Sequence, residues 1–441
     1  MKKFLSFLFV FLLSVTTFSS PITSFANSDD VSISSPYSVV LDYETGKVLY
    51  EKNGNEKVYP ASTTKIWTAY LVVKNVKDLD TPIEIDKDLS VEGSSMYLEK
   101  GEIFTVKELL QGLLIHSSND AAEVLAEYVS DSIGTFVDLM NEEAKSIGAE
   151  NTHFNNPHGL PDENHYTTAY DMALIAREAM SNSIIREIVG TKSITFEMRD
   201  TPTSRRFITR TFYNTNKFLT STEKIEYKGN LVDIKYDIVD GIKTGYTDDA
   251  GRCLLSSAVK DGMRVITAVF KSSSTDVYTD SRTLIDYAFS TYYTQTIINK
   301  NDYTNTKRVL LTKQKELIYQ PEYSYKLVLE NGSKVSDNYS TEVNLDYDLP
   351  IKKGDKVGTL DVYNGKVLEK SIPLIAQNNL NSVFAFITES AVVKYSIRLI
   401  LALSTLFILF VISIIIKKRR IRKRMKKMNK YRKSNKYNRR R

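Results

Sequence analysis

Three short groups of residues carry side chains suited to nucleophilic chemistry. The first is Ser62-Thr63-Thr64-Lys65. Residues three apart on a helix share a face, so Lys65 can reach the Ser62 hydroxyl. A serine hydroxyl is a poor nucleophile until a base takes its proton. A lysine whose pKa is lowered by burial or by a nearby cation can be that base. The second group is Ser117-Ser118-Asn119. Its hydroxyl could relay a proton to a leaving amine, and its amide could hold a peptide group. The third is Lys243-Thr244-Gly245, followed by Tyr246, inside Asp240–Thr247. Lys243 and Thr244 offer a positive charge and a hydroxyl suited to a carboxylate. On an edge strand, Gly245 would let a substrate backbone come close. Each group taken alone also has a plain structural reading: an exposed helix turn, a helix cap and a surface turn. A phosphate loop is excluded for the third, because the glycine spacing required before Lys243 is missing.

The elements that must position these groups follow from periodicity. Residues 36–52 alternate around Thr45-Gly46 and predict a β-hairpin. A helix is expected to start near Ser62 and to run through Trp67, Tyr70 and Val73. From Val106 to about Ala149 apolar residues recur at helical spacing, in two or three helices broken near Ser117 and Gly134. Residues 150–167 read as a long loop, and Thr168 as the cap of a helix reaching about Met180. Strands are expected at 192–198, 230–239, 251–259 and 263–271, and a closing helix from Val277 to Tyr292. Strands at both ends with helices between predict an α/β sandwich on an antiparallel sheet. After residue 300 short alternating strands appear at 316–319, 325–329, 342–345, 356–363 and 366–372. Asn331-Gly332 and Asn364-Gly365 are hairpin turn signals. This reads as a small all-β domain over 300–375, joined by a linker, 376–396, to an apolar run near the C-terminus.

Charge is distributed unevenly along the 441 residues, whose formal net charge is +6. Lys417 to Arg441 holds 16 Lys or Arg and no acid, and Lys2 and Lys3 add two more. Removing those 18 positive charges from +6 leaves −12 for the remainder. An acidic body argues against nucleic acid as a partner of the folded part. Lys2-Lys3, an apolar stretch from Phe4 to Val15 and the small-residue exit at Ala26 have the three parts of a secretory signal over residues 1–26. Leu399 to Ile416 is 18 residues without a charge. As a helix it is roughly 27 Å long, near the thickness of a bilayer core. The expected span is 397–416, and the basic excess after it, 417–441, predicts a cytoplasmic tail that attracts anionic lipid. The body is then extracytoplasmic, held at the cell membrane by a single C-terminal pass.

Ser-x-x-Lys, Ser-x-Asn and Lys-Thr-Gly in that order are the signature of penicillin-recognising serine enzymes. Ala61 to Lys65, His116 to Ala122, Asn156-Pro157-His158-Gly159-Leu160 and Asp240 to Tyr246 resemble the D-alanyl-D-alanine carboxypeptidases, the low-molecular-weight penicillin-binding proteins. The resemblance covers residues 34–295 and extends more loosely into the β domain. It implies a β-lactamase/transpeptidase-like catalytic domain over 27–295, an antiparallel sheet with a helical cluster. It implies that Ser62 attacks the carbonyl of the penultimate D-alanine of a peptidoglycan stem peptide ending in D-Ala-D-Ala, with Lys65 accepting the proton. Ser117 would pass a proton to the departing D-alanine, and Asn119 would hold the substrate amide. Lys243 and Thr244, beside Gly245, would bind the terminal carboxylate. The backbone N–H groups of Ser62 and Tyr246 would form the oxyanion hole. β-Lactams would acylate the same serine, and neither a metal nor an organic cofactor is implied. The loop 150–167 lacks the glutamate pattern of class A β-lactamases, which favours a peptidase. Two departures stand out: this sequence shows no clear counterpart of a second cationic group for the carboxylate, so that contact stays open, and the family's frequent amphipathic membrane end reads here as a full span.

Three histidines, His153, His158 and His165, share that loop, but their spacing fits no zinc motif and they have no Cys partners. His158 is a candidate cleft residue that helps position water, against a purely structural role in the loop. The single cysteine, Cys253, reads as a buried, inert thiol. Two other functions stay in view. One is an endopeptidase cutting D-Ala cross-links with the same residues. The other is a silent wall-binding or sensor protein, which has no chemical need for all six motif side chains.

Overall fold

A computed structural model describes residues 31–197, 209–336, 338–384 and 391–438. The expected signal segment lies outside the described residues. The chain divides into two compact units, one of residues up to 295 together with 326–334, the other of 296–325 and 335 onward.

The first unit is built on a five-stranded sheet, in the order Val48–Lys52, Tyr37–Asp42, Met263–Ser272, Gly251–Lys260, Val239–Thr247. The pairings between neighbours are antiparallel. Successive side chains on a strand point to opposite faces, and the sequence uses both. Val39, Leu41, Leu255, Ile266, Ala268 and Phe270 face one core. Val40, Leu254, Val265 and Val269 face the other. The first core is closed by the helices Lys65–Asn75, Val106–Gln111, Asn119–Ser130, Ile133–Ser146 and Ala169–Ala179. The second is closed by Asp276–Thr291. The α/β sandwich expected from the element order is therefore present, with the sheet as its middle layer.

Local chemistry sets several boundaries. Thr168 caps the Ala169–Ala179 helix, its side chain accepting from Asp171 N–H. Thr105 and Glu108 form a reciprocal capping box at the Val106–Gln111 helix. The break expected near Gly134 lies at Asp131-Ser132. Asp131 is left-handed, and Ser132 caps the next helix by accepting from Thr135 N–H. The strand expected at 230–239 is two features: Asn230–Asp233 pairs with Lys224–Tyr227, and a new strand, Val239–Thr247, begins at residue 239. The hairpin expected at Asn331-Gly332 does not form. Residues 326–334 belong to the first unit, where Val328 enters the second core and Asn331 N–H donates to Thr291 O at 2.7 Å.

The second unit holds a five-stranded sheet in the order Asn305–Arg308, Glu316–Pro321, Val367–Ala376, Lys356–Asn364, Tyr339–Leu345. Its core is formed by Leu317, Tyr319, Val357, Leu360, Val362, Ile372 and Leu374. The Asn364-Gly365 turn joins two paired strands, as its sequence predicts. Ala391–Asn438 is one helix. It runs past the apolar stretch into the basic tail, whose Lys, Arg and Met are good helix formers. Its residues Leu399 to Ile416 are exposed, and it is long and apolar enough to cross a membrane.

Candidate active site

The Ser62 turn is a short 3₁₀ segment, Ala61–Thr64, running into the Lys65–Asn75 helix. Ala61 has φ +48°, a left-handed conformation that costs a non-glycine residue about 1 kcal/mol or more. Surrounding contacts fix it. Thr63 Oγ1 donates to Pro60 O at 2.6 Å and Thr64 Oγ1 to Ala61 O at 2.9 Å. Further along the helix, Trp67 Nε1 donates to Met140 O and Thr68 Oγ1 to Pro157 O. Ile66, Trp67, Leu71 and Val72 are fully buried, each contributing about 1.5–3 kcal/mol of burial. The helix start is thus held by the packed core behind it.

Gly159 presses on this turn from the 150–167 loop. Its φ is +89°, and a Cβ there would stand 1.8 Å from Ala61 O. Gly159→Ala must displace either the loop or the Ser62 turn. We expect a loss of about 2–4 kcal/mol from the left-handed penalty plus overpacking, read as a lower denaturation midpoint, together with reduced activity.

Lys65 is fully buried, and its Nζ lies 2.8 Å from Ser62 Oγ and donates to His158 O at 2.7 Å. Burial first, and then the charge on Lys243, hold its ammonium well below the ordinary lysine range, while Asp120 pulls the other way. Ser62 itself is half-buried, hence reachable. Lys243 is also fully buried, and burial pushes its ammonium down to about 7. Its Nζ donates to Thr244 O at 3.0 Å.

The third motif lies on the Val239–Thr247 edge strand, against the Ser62 turn. Gly245 explains the closeness: a Cβ there would meet Ser62 N at 3.2 Å and Pro60 O at 3.1 Å. Gly245 thus lets the edge strand lie close to the chain's own nucleophile turn. Tyr246 is half exposed, with its hydroxyl on Asp248 and the Arg252 guanidinium 4.4 Å over its ring.

The second motif follows a π-turn at Gly112–His116, where Ser117 takes φ +69° before the Asn119–Ser130 helix. Ser117 and Asn119 are both buried. Asn119 Nδ2 donates to Glu92 O at 2.5 Å, and Asn119 N–H to Ser94 O. Two residues overlooked in the sequence tie this motif to its neighbours. Asp120 accepts from Ser95 Oγ, Met96 N–H and Leu98 N–H, fixing the 94–98 loop. Its signal was an acid in a helix first turn beside Asn119. Thr215 left no signal. Its N–H donates to Ile115 O and its hydroxyl lies 2.6 Å from that of Thr244, joining the second motif's approach to the third motif.

The three loop histidines have separate partners. His153 Nδ1 contacts Asn164 O, and His165, whose ionisation burial lowers to about 3, contacts Thr64 Oγ1. The His158 ring is buried 3.6 Å from Glu123, and what it offers Lys65 is its carbonyl. Cys253 is buried, and burial pushes its thiol up to about 12. Beside the Ser62 turn a cavity of about 230 Å³ is lined by Pro60, Gly159, Asp162, Thr247 and Asp249, among others.

Residues 23–274 match the D-alanyl-D-alanine carboxypeptidase family, and residues 292–382 match the C-terminal domain of penicillin-binding protein 5. The chain is 34% identical to the D-alanyl-D-alanine carboxypeptidase DacF of Bacillus subtilis over 402 residues, 88% of this chain and 97% of that one. It is 33% identical to DacC of Escherichia coli over 390 residues, 84% of this chain and 90% of that one. Among solved structures, the peptidoglycan synthesis regulatory factor PBP3 of Streptococcus pneumoniae superposes with a TM-score of 0.62 at 26% identity, covering 79% of this chain and all of that one. Penicillin-binding protein 5 of Haemophilus influenzae gives 0.58 at 25% identity, covering 80% and 98%. The chain belongs to the D-alanyl-D-alanine carboxypeptidase family of serine peptidases.

Proposed function

We propose that this chain removes the terminal D-alanine from peptidoglycan stem peptides through an acyl-enzyme on Ser62. The observation that carries the proposal is a buried lysine, its ammonium held well below the ordinary lysine range by burial and by Lys243, 2.8 Å from a reachable serine hydroxyl. A neutral Lys65 takes the Ser62 proton as the Ser62 oxygen bonds to the carbonyl carbon of the penultimate D-alanine. The C–N bond then breaks, and Ser117 delivers its proton to the departing amine while taking up the proton held by Lys65, which leaves both side chains neutral again. Asn119 holds the substrate amide, and the carboxylate rests on Lys243 and Thr244. The N–H groups of Ser62 and Tyr246 receive the negative oxygen. Water hydrolyses the ester. A β-lactam acylates Ser62 in the same way and leaves slowly.

We place the body outside the cell, after removal of residues 1–26. The C-terminal helix crosses the membrane at 397–416, and the tail stays in the cytoplasm, where the excess of Lys and Arg favours it. Residues 27–295 form the catalytic domain, 300–375 the β domain apart from 326–334, which pack with the first unit, and 376–396 the linker in this reading.

The test is to incubate the full chain in detergent micelles with a mixture of uncross-linked and cross-linked muropeptides and to follow products by mass spectrometry. Uncross-linked pentapeptides should each lose one D-alanine while cross-linked dimers persist. Dimer cleavage with intact pentapeptides would contradict the carboxypeptidase assignment in favour of an endopeptidase.

A further inference from the structure

The second unit exposes two adjacent leucines that its core does not explain. Leu310 is 73% and Leu311 65% exposed. They sit in the loop 309–315 that joins the paired strands Asn305–Arg308 and Glu316–Pro321. The loop is well made: Val309 N–H donates to Lys315 O, buried Thr312 donates to Val309 O, and Val309 packs on the core. Val309 and Thr312 point inward, so Leu310 and Leu311 are turned outward by an ordered backbone, with Leu311 at φ +60°.

Positive charge flanks them along the chain. Lys307, Arg308, Lys313 and Lys315 are exposed, and none of them pairs with an acid among the described residues. Glu316 is the one acid between residues 303 and 321. Two outward leucines flanked along the chain by four exposed cations are the pattern of a surface that meets an anionic bilayer.

The loop also lies at the right end of the sheet. Tyr319 pairs with Ala376 and Pro321 with Leu374, so Glu316 lies toward the end by which the chain leaves the sheet. There the departing segment is stitched to the loop: Val383 N–H donates to Leu311 O, and Lys313 N–H to Asn381 O. Val383 and Phe384 are exposed too. From Phe384 to Ala391, the start of the long apolar helix, is seven residues, at most about 25 Å of chain. The opposite end carries the Asn364–Val367 turn, a full ten-residue strand away.

We propose that the loop 309–315 is a membrane-docking surface. Leu310 and Leu311 dip into the interface of the bilayer that anchors the chain, and Lys307, Arg308, Lys313 and Lys315 contact its anionic headgroups. This rests on reading the C-terminal helix as a membrane span. Docking here holds the β domain against the bilayer at its exit end, in place of a unit swinging on its linker.

The test uses the full chain in phosphatidylglycerol vesicles doped with acyl-chain nitroxide lipid. A fluorophore is attached in turn at Leu311→Cys, at Val367→Cys and at Leu403→Cys in the helix. Cys253, buried with a raised thiol pKa, stays unlabelled. The probe at 311 should be quenched at least twofold more than the probe at 367. That excess should shrink in phosphatidylcholine vesicles and in the variant Lys307→Glu, Arg308→Glu, Lys313→Glu, Lys315→Glu. Quenching at 403 without any excess at 311 overturns the docking surface. Equal excess in both lipids overturns the headgroup contacts. Absence of quenching at 403 overturns the span itself.

Discussion

Ser62→Ala should abolish covalent labelling by penicillin, and in the wild type the added mass should map to the peptide containing Ser62. The variant should remain folded. Ser62 is half-buried, its hydroxyl contacts Lys65, and the turn is fixed by Thr63, Thr64 and Gly159 rather than by Ser62 itself. Turnover of a D-Ala-D-Ala peptide should fall by at least about 10³-fold, since removing the nucleophile of a serine hydrolase leaves only binding and the oxyanion hole. Intact-protein mass spectrometry reads the adduct, and a circular dichroism melt reads the fold. A stoichiometric adduct in a folded Ser62→Ala protein would remove Ser62 from the role of nucleophile.

Lys65→Met should cost about 10²–10⁴-fold in kcat, the usual contribution of a positioned general base, with a much smaller effect on stability. Methionine keeps the apolar length of the stem and removes a buried amine. Burial lowers the Lys65 ammonium in the folded chain and not in the unfolded one, so wild-type folding carries a penalty at neutral pH. The unfolded state binds the extra proton, so that penalty shrinks as pH rises toward the ordinary lysine value. Loss of the donor to His158 O works against the gain. The variant should therefore compare best with wild type near neutral pH and less well at high pH, as urea midpoints measured across that range can check.

The same two lysines predict the shape of the activity profile. Activity falls on the acid side, where Lys65 takes up its proton. It falls on the alkaline side as Lys243, at about 7 in the free protein, loses the charge that holds the carboxylate. Lys243→Arg keeps that charge at every accessible pH. Whatever its absolute rate, it should move the alkaline limb of kcat/KM upward and leave the acid limb in place. An unmoved alkaline limb would assign it to another group.

The sequence is most legible where side-chain types repeat at a fixed period or stand at a fixed spacing. The 36–52 hairpin, the Thr168 cap and the Asn364-Gly365 turn all follow local rules, and Ser62 and Lys65 share a helix face simply by being three apart. It is least legible where backbone or burial decides. No residue type announces that the carbonyl of His158 holds Lys65, or that Lys243 is wholly buried. Alternation alone ends a strand at residue 239, short of Lys243. The two glycines and buried lysine of Val239–Thr247 break the alternation that marks a strand, although Ile242 and Gly245 are placed by it against the helical layer and the Ser62 turn. Asn331-Gly332 has the composition of a hairpin turn, yet tertiary packing of Val328 with the first unit takes the preceding strand away from the following one. Thr215 is linked to the second motif through a backbone bond at Ile115, which leaves no trace in side-chain pattern.

The most direct measurement is free D-alanine released by the full chain from a soluble peptide ending in D-Ala-D-Ala, beside the Ser62→Ala variant. The wild type should steadily release one D-alanine per peptide, and the variant none above background. No release by folded wild-type protein, or equal release by both proteins, would contradict it.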